Sequence, residues 1–550
     1  MNGFFLKTCV SSSGTFVYGI HKPAYKVINL REKDYITILG HVGGETAVDN
    51  KVNFPDDDVN VDNADWVFEV SNPFPFMGAT FILKSSADQH VEDVNPFRFN
   101  HERECTLLRL DDFLEQIDEK DPFLISLGRT SMDPDLLIEL ANMSCEFEFE
   151  PDTGDPVGIQ YKKTEEGRLS QAITNRHLFE IVSNNPFLPD PYKQAMVLIP
   201  GIQGANKIVG EYKESPNTHI WEYLRDNSYI PWGHYASNMA HDAIRYKIDA
   251  LQNEDMIGLR HLYYQRVYTQ LAPGVGISVP ARRRTLTEEE LESLRISLRE
   301  AIKQHGESDK IHLPFNACLW GWNFGFDLSP SGYRLNASHQ QIHQQFALIP
   351  QSVPGFSNGE NKESHSHLPT YIQGDDVALF CGQFRNETGK DFFEAYLTAI
   401  QNNQRMDGRK DRERSLVFYQ DENVMAFVPK AQRSQGEVQV MTKTKCGNIL
   451  EADSKVRRSL DLAILTTVRV LERLGVEMMI AYEISKRFDN PDTDQRLMYI
   501  FLPKHPQSPG TLSEWQSRWI TGHYPEDFAY VCRGQVEQII NNRSNESADS

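Results

Sequence analysis

The sequence predicts an α+β protein, with helices packed on antiparallel strand pairs. Three observations carry this. The chain has 550 residues, 40% of them hydrophobic and 11% aromatic, which is too long for one ordinary core and apolar enough for two or three domains. Short apolar runs broken by Pro, Gly or Asn recur as strand–turn–strand units. Between them lie stretches whose apolar residues return at three- and four-residue intervals, the helical period.

Residues 1–64 read as short strands and turns that end in the acidic string FPDDDVNVDNAD, a solvated loop. Residues 66–84, WVFEVSNPFPFMGATFILK, predict a strand, a Pro-punctuated turn and a second strand. The apolar spacing in LLRLDDFLEQI and DLLIELANM predicts helices over 105–145, and EFEFEPDTGDPVG turns the chain near residue 150. Residues 178–200 predict another strand–turn–strand. That segment shares an apolar run, a Ser-Asn and a Pro-Phe pair with the first, so the two are an internal repeat or two similar hairpin entries.

LRHLYYQRVYTQL predicts a helix, and a short apolar strand follows, ending at Pro280. Thr287 and Glu290 form a T-x-x-E capping box that opens a helix running to about Gly306. FNACLWGWNFGFDL predicts a strand and then a turn at Asn323-Phe-Gly325. Residues 351–376 read as a loop. Its His365 and His367 stand at i and i+2 with no carboxylate or cysteine at ligand spacing, so no metal site is expected. A helix in GKDFFEAYLTAIQ, a charged loop, a strand pair over 415–443, a long helix near 453–475 and a strand in QRLMYIFLPK complete the pattern. The closing NNRSNESADS predicts a disordered tail.

Charge narrows the function. Lys and Arg number 56 against 77 Asp and Glu, a net charge of −21. Such a chain repels nucleic acid and anionic membrane, whereas a small phosphate-bearing molecule can still be met locally. No run of about 18 apolar residues occurs, so no membrane-spanning helix is expected. The N-terminus lacks the apolar core of a signal peptide. The seven cysteines are scattered with no C-x-x-C, which fits reduced thiols in a cytoplasmic protein.

Residues 333–348, YRLNASHQQIHQQFAL, are the chemical anomaly. Two histidines and four glutamines take six of the seven positions in residues 339–345. In a strand, His339, Gln341, His343 and Gln345 share one face, and Gln340, Ile342, Gln344 and Phe346 the other. A face of imidazoles and amides buries poorly against a core and suits a pocket for a polar, anionic ligand. A solvated edge strand or a polar loop is the alternative.

The string NASHQQIHQQ resembles the signature of the galactose-1-phosphate uridylyltransferase and dinucleoside-tetraphosphate phosphorylase family, the transferase branch of the histidine-triad superfamily. That signature runs roughly Gly-Ala-Ser-x-x-His-x-His-x-Gln. Ala337 and Ser338 fall on its Ala-Ser, His343 on its second histidine and Gln345 on its glutamine, while Gln341 replaces the first histidine and Asn336 the glycine. The surrounding order is similar too: the capped helix, the strand with Asn323-x-Gly325, the GKDFFEAY helix, the strand pair DENVMAFVPKAQRSQGEVQV, QRLMYIFLPK and YPEDFAYVCR. The likeness covers about residues 275–533.

The resemblance implies two histidine-triad-like halves, each an antiparallel sheet with packed helices. Residues 151–350 would be the first half, carrying the nucleophile, and 376–534 the second. Residues 1–150 would be an N-terminal elaboration or part of the first half, and 535–550 the tail. It implies a nucleotidyltransferase or nucleotide phosphorylase in which His343 attacks the α-phosphorus and a covalent nucleotidyl-histidine forms. The backbone carbonyl of Gln341 would fix the tautomer, and Ser338 and Gln345 would donate to the phosphate oxygens.

Asn323 and Gly325 would approach the phosphates, and Asn72 with Phe74 would hold the base, with the Asn184-Asn185-Pro186-Phe187 segment as the rival. Arg282-Arg283-Arg284 could meet a substrate phosphate, or be surface charge. The expected partners are a nucleotide and a phosphate or phosphorylated acceptor; Mg2+ is the candidate cofactor, and a homodimer is an open possibility. QRLMYIFLPK lacks the histidines common at its counterpart in the sugar-phosphate enzymes, which weighs against galactose-1-phosphate as acceptor. A non-catalytic nucleotide-binding protein that keeps the fold is the alternative. A hydrolase is disfavoured by Gln345, where hydrolytic branches carry a third histidine.

Overall fold

The computed structural model describes residues 7–24, 26–28, 36–42, 46–53, 57–60, 62, 64–91, 97, 120–163, 169–183, 185, 187–197, 202–203, 206–207, 251–280, 284–305, 313–325, 343–355, 367–476, 478–490, 494–503, 513 and 515–546. In chain order the N-terminal part contributes β1 (Gly19–His21), β2 (Val67–Ser71) and β3 (Ala79–Leu83). Helices α1 (Lys120–Thr130) and α2 (Pro134–Ser144) follow, then β4 (Phe147–Phe149), β5 (Pro156–Ile159), α3 (Arg176–Ser183) and α4 (Asp190–Val197). Next come α5 (Asn253–Leu271), α6 (Glu288–His305), β6 (Ala317–Gly325) and β7 (His343–Ile349). The C-terminal part holds α7 (Gln373–Thr388), α8 (Phe392–Gln401), β8 (Val417–Gln420), β9 (Val424–Phe427), β10 (Val438–Thr442) and α9 (Ser454–Arg473). It ends with β11 (Met478–Ile484), β12 (Met498–Pro503), β13 (Arg518–Thr521) and α10 (Pro525–Glu546).

The chain is thus α+β, as its alternating strand and helix patterns predict. Its centre is a seven-stranded sheet in the order β7-β6-β11-β12-β10-β9-β8, in which every neighbouring pair is antiparallel. Strands from 317–349 and strands from 417–503 lie side by side in it. Both faces are apolar, and period-2 alternation sorts the side chains between them. Trp320, Trp322, Ala481, Tyr499 and Val440 point into a core with helices α5, α6, α9 and α10. Ile484, Ile500, Met441 and Phe427 point into a second core with α7, α8 and the β2–β3 hairpin.

The hairpin expected at 66–84 forms, with a 3-10 turn at Pro75–Met77. It belongs to a four-stranded sheet, β1-β2-β3-β13, in which β3 and β13 run parallel. Gly78 is required there. Its φ is +93°, and a Cβ on it would stand 2.0 Å from the Ser517 carbonyl oxygen. A third, smaller core joins α1–α4 with β4 and β5.

Four expectations change. The described part of 178–200 forms helices α3 (to Ser183) and α4 (Asp190–Val197) rather than a second hairpin, so the likeness to 66–84 is not a structural repeat. Leu178, Ile181 and Val182 are buried at helical spacing, and the Asn175 side chain accepts from the Leu178 amide at 3.0 Å. The run ending at Pro280 carries no strand and instead lays Ile277 and Val279 on the helical core. Asn323 and Gly325 lie in strand β6 rather than in a turn, because β11 pairs with that end of it. The expected tail at 535–550 is helical through Glu546. Phe528, Ala529, Cys532 and Val536 of α10 are buried, a stripe that carries the helix past residue 535.

Candidate active site

The polar stretch singled out in the sequence enters the sheet as β7, an edge strand that begins at His343. Cross-strand register places Asn323 opposite His343, Gly321 opposite Gln345 and Leu319 opposite Ala347. On the other side of β6, Asn323 pairs with Ile480, Gly325 with Met478 and Gly321 with Tyr482. His343, Gln345, Asn323 and Gly325 therefore stand on one face at one end of the sheet. Ser338, Gln341 and His339, and the rest of 326–342, lie outside the described residues.

The alternate residues of the same strands decide which face this is. Gln344 donates from Nε2 to the Leu259 carbonyl of α5 at 3.2 Å, and Phe346 lies against Tyr263 with ring centroids 5.6 Å apart. Trp320 and Trp322 are buried on that same side. His343 and Gln345, one residue out of phase, stand on the opposite face. There Leu319 is 40% exposed and Ala347 is exposed, further along the same two strands.

Beneath the corner, on the helical side, lies a buried hydrogen-bonded network. Glu483 accepts from the Tyr499 hydroxyl at 2.7 Å and from the Tyr263 hydroxyl at 3.3 Å, and Tyr263 Oη lies 2.8 Å from Cys318 Sγ. Burial pushes the Glu483 carboxyl up to about 7. Nearby, Arg260 Nε bonds both carboxylate oxygens of Asp461 at 3.0 Å. Asp461, Arg260, Tyr263, Tyr264, Trp320, Trp322 and Gln344 line a cavity of about 30 Å³, room for a water or two. A larger cavity, about 570 Å³, opens between α5 and the β7 edge, with Phe346, Leu348, Arg266 and Arg284 among its walls. Arg284 is committed to Glu290, bonding both carboxylate oxygens at 2.7 and 2.6 Å. Arg282 and Arg283 lie outside the described residues.

On the face that carries His343, sequence reasoning missed a second polar group. Tyr482, opposite Gly321, has the Arg433 guanidinium 5.7 Å from its ring centroid. Arg433 Nε and Nη2 donate to Glu437 Oε1 at 3.3 and 3.1 Å, and Gln439 Nε2 donates to the same oxygen at 2.9 Å. Glu437 is fully buried. The available signal was a charged residue, Glu437, immediately before the short strand Val438–Thr442.

Asn72 and Phe74 stand elsewhere, in the hairpin turn of the small sheet. Asn72 is buried; its Nδ2 donates to the Ala431 carbonyl at 3.3 Å and its Oδ1 accepts from the Phe74 amide at 3.1 Å. Phe74 lies among Phe380, Phe392, Phe393 and Tyr396. Both side chains are engaged in anchoring the turn. In the rival segment Asn185 is buried, donating to the Gly128 and Ser131 carbonyls; Asn184 and Pro186 lie outside the described residues. Among the described residues, no group of three or more His, Cys, Asp or Glu could hold a metal ion, and no helix is long and apolar enough to cross a membrane. The six described cysteines are buried and unbridged.

No protein-family model matches the chain, and no curated protein matches it. Among solved structures it is similar to a uridylyltransferase, at 13% identity over 46% of this chain and 69% of that one, with a TM-score of 0.32. It is also similar to an ADP-glucose phosphorylase from Arabidopsis thaliana with bound ADP-glucose, at 14% identity over 44% and 64%, TM-score 0.29. A third is a GalT-like protein from the same plant, at 13% identity over 44% and 67%, TM-score 0.29. These neighbours are of the kind that the sequence resembles.

Proposed function

We propose that this chain transfers nucleotidyl groups, as a nucleotidyltransferase or nucleotide phosphorylase, through a covalent intermediate on His343. The observation that carries the reading is the register of β6 and β7. Two segments that match the family pattern only in sequence are antiparallel neighbours, with Asn323 opposite His343 and Gly321 opposite Gln345.

In this reading the neutral imidazole of His343 attacks the α-phosphorus. A P–N bond forms while the bond to the leaving phosphate breaks, its electron pair going to the departing oxygen. The acceptor oxygen then attacks from the same side as that departure, and the P–N electron pair returns to the imidazole. The Gln341 carbonyl holds the other ring nitrogen as N–H, a role any residue's backbone can fill. Ser338 and Gln345 donate to the non-bridging oxygens as charge builds on them, and Asn323 and Gly325 border the phosphates. The substrates are a nucleotide and a phosphate or phosphorylated acceptor, with Mg2+ carried in on the nucleotide's phosphates. The two-half description of the fold, a homodimer and a cytoplasmic location belong to the same proposal.

Incubation with α-phosphate-labelled ATP, GTP, UDP-sugar or dinucleoside tetraphosphate tests it. Acid-labile, base-stable label on the wild type, lost in His343→Asn, is expected. Gln341 in place of the family histidine favours one second reading, a nucleotide-binding protein without turnover. Measurable nucleotide binding with no label from any donor would establish that reading and reject the transferase.

A further inference from the structure

We propose that the small cavity between β7 and helices α5 and α9 is a water-binding site, in which bound water joins Arg260 Nη1 to Gln344 Oε1 and so holds the strand of His343 against the helical layer. The water site stands on geometry alone. Its consequence for chemistry at His343 rests on the transferase reading and makes Gln344 a positioning residue for it.

The cavity measures about 30 Å³. A buried water needs roughly 10–15 Å³ of such space and about two to four polar partners. Much of the wall is apolar or aromatic, and the Tyr263 and Tyr499 hydroxyls on it donate to Glu483. Two other lining side chains end in a buried polar atom that has no hydrogen-bond partner among the described residues, Nη1 of Arg260 and Oε1 of Gln344. The first is a donor and the second an acceptor, so water between them accepts from the guanidinium and donates to the amide.

The other bonds of these two side chains narrow the occupant to water. Arg260 Nε bonds both oxygens of Asp461 at 3.0 Å, and its Nη2 lies 3.3 Å from Glu288 Oε1. Two carboxylates already meet the single guanidinium charge, so the cavity suits a neutral hydrogen-bonding molecule and not an anion. Gln344 Nε2 is committed to the Leu259 carbonyl at 3.2 Å, which leaves its oxygen as the end still to be paired. Buried polar groups are nearly always paired, by water where protein atoms do not reach. The bridge ties three elements together: Gln344 on β7, Arg260 on α5 and, through Arg260, Asp461 on α9. Gln344 stands between His343 and Gln345 in the chain, so its anchorage sets where that part of β7 lies, and a shift of the strand carries both neighbours with it.

A crystal structure of the full wild-type chain, at a resolution that shows ordered water, tests the site without any variant having to fold. Water within hydrogen-bonding distance of both Arg260 Nη1 and Gln344 Oε1 is expected, directly or through a second water. An empty cavity, or water that reaches only one of the two atoms, overturns the inference. Two variants test the consequence. Gln344→Met removes both polar ends at similar volume, and amide exchange over residues 343–349 should quicken about tenfold. Nucleotidyl label on the protein should then form about tenfold more slowly, with nucleotide affinity unchanged. Gln344→Glu keeps an oxygen for the water and should restore most of both. Variants that are equally impaired, or both indistinguishable from the wild type, overturn Gln344 as a positioning residue. Wild-type protein that takes no label rejects the transferase reading, and the crystal structure and exchange rates then still decide the bridge.

Discussion

Glu483 shows how much a single buried group can set. Its carboxyl is buried between Tyr499 and Tyr263, and burial raises its pKa from the ordinary 4.5 to about 7. The folded protein therefore holds a proton that the unfolded chain releases between those values. Linkage then makes Glu483 favour folding at low pH, with its contribution shrinking as pH rises from about 4.5 to 7, by at most about 1.4 kcal/mol per pH unit. Glu483→Gln removes this slope, so the wild-type and variant stability curves from urea denaturation should diverge across that window and run parallel above it. The Lys430–Glu526 pair is the converse case. Both side chains are fully buried, and Glu526 also accepts from Asn403 at 2.8 Å. Glu526→Gln leaves the ammonium uncompensated and should cost about 3–5 kcal/mol in the same assay.

At the level of elements, caps and turns decide where segments begin. The Asp453 carboxylate accepts from the amides of Lys455 and Val456 at 3.0 Å, opening α9 across the back of the sheet. Asp453→Ala should lower stability by about 1 kcal/mol, seen as a shifted denaturation midpoint with an unchanged slope. At Gly78 the constraint is steric as well as conformational, since any Cβ meets the Ser517 carbonyl. Gly78→Ala should part β13 from β3, and faster amide exchange at residues 518–521 is the readout. Unchanged protection there would show that the hairpin adjusts without losing its parallel partner.

Across the whole molecule, the two ends of the chain depend on each other. β13 completes the N-terminal sheet, α10 packs into the helical core through Phe528, Ala529 and Cys532, and Glu526 and Asp527 pair with Lys430 and Arg405. Truncation after residue 514 removes all of these together. It should abolish cooperative thermal unfolding and leave aggregated protein; a truncated chain that melts cooperatively near the wild-type temperature would refute this dependence. The seven-stranded sheet has the same character, because strands from either side of the long 351–416 connection share its centre.

The sequence by itself determined what local chemistry can specify. Period-2 and period-3.6 patterns located β2, β3, β6, α2, α6, α8 and α9, and the T-x-x-E box fixed the start of α6, where Thr287 and Glu290 bond each other's amides. It also singled out the strand of imidazoles and amides, because such a face cannot be bought by an apolar core. Residues 178–197 misled because a short, mostly apolar segment such as LFEIVS suits helix and strand alike, and only burial of Leu178, Ile181 and Val182 on one side separates them. Tertiary structure alone decided which face His343 occupies, since that depends on Gln344 and Phe346 being claimed by α5. It alone brought Arg433 and Tyr482, 49 residues apart in the chain, to the same face. Cross-strand register is a long-range property, and no local pattern encodes it.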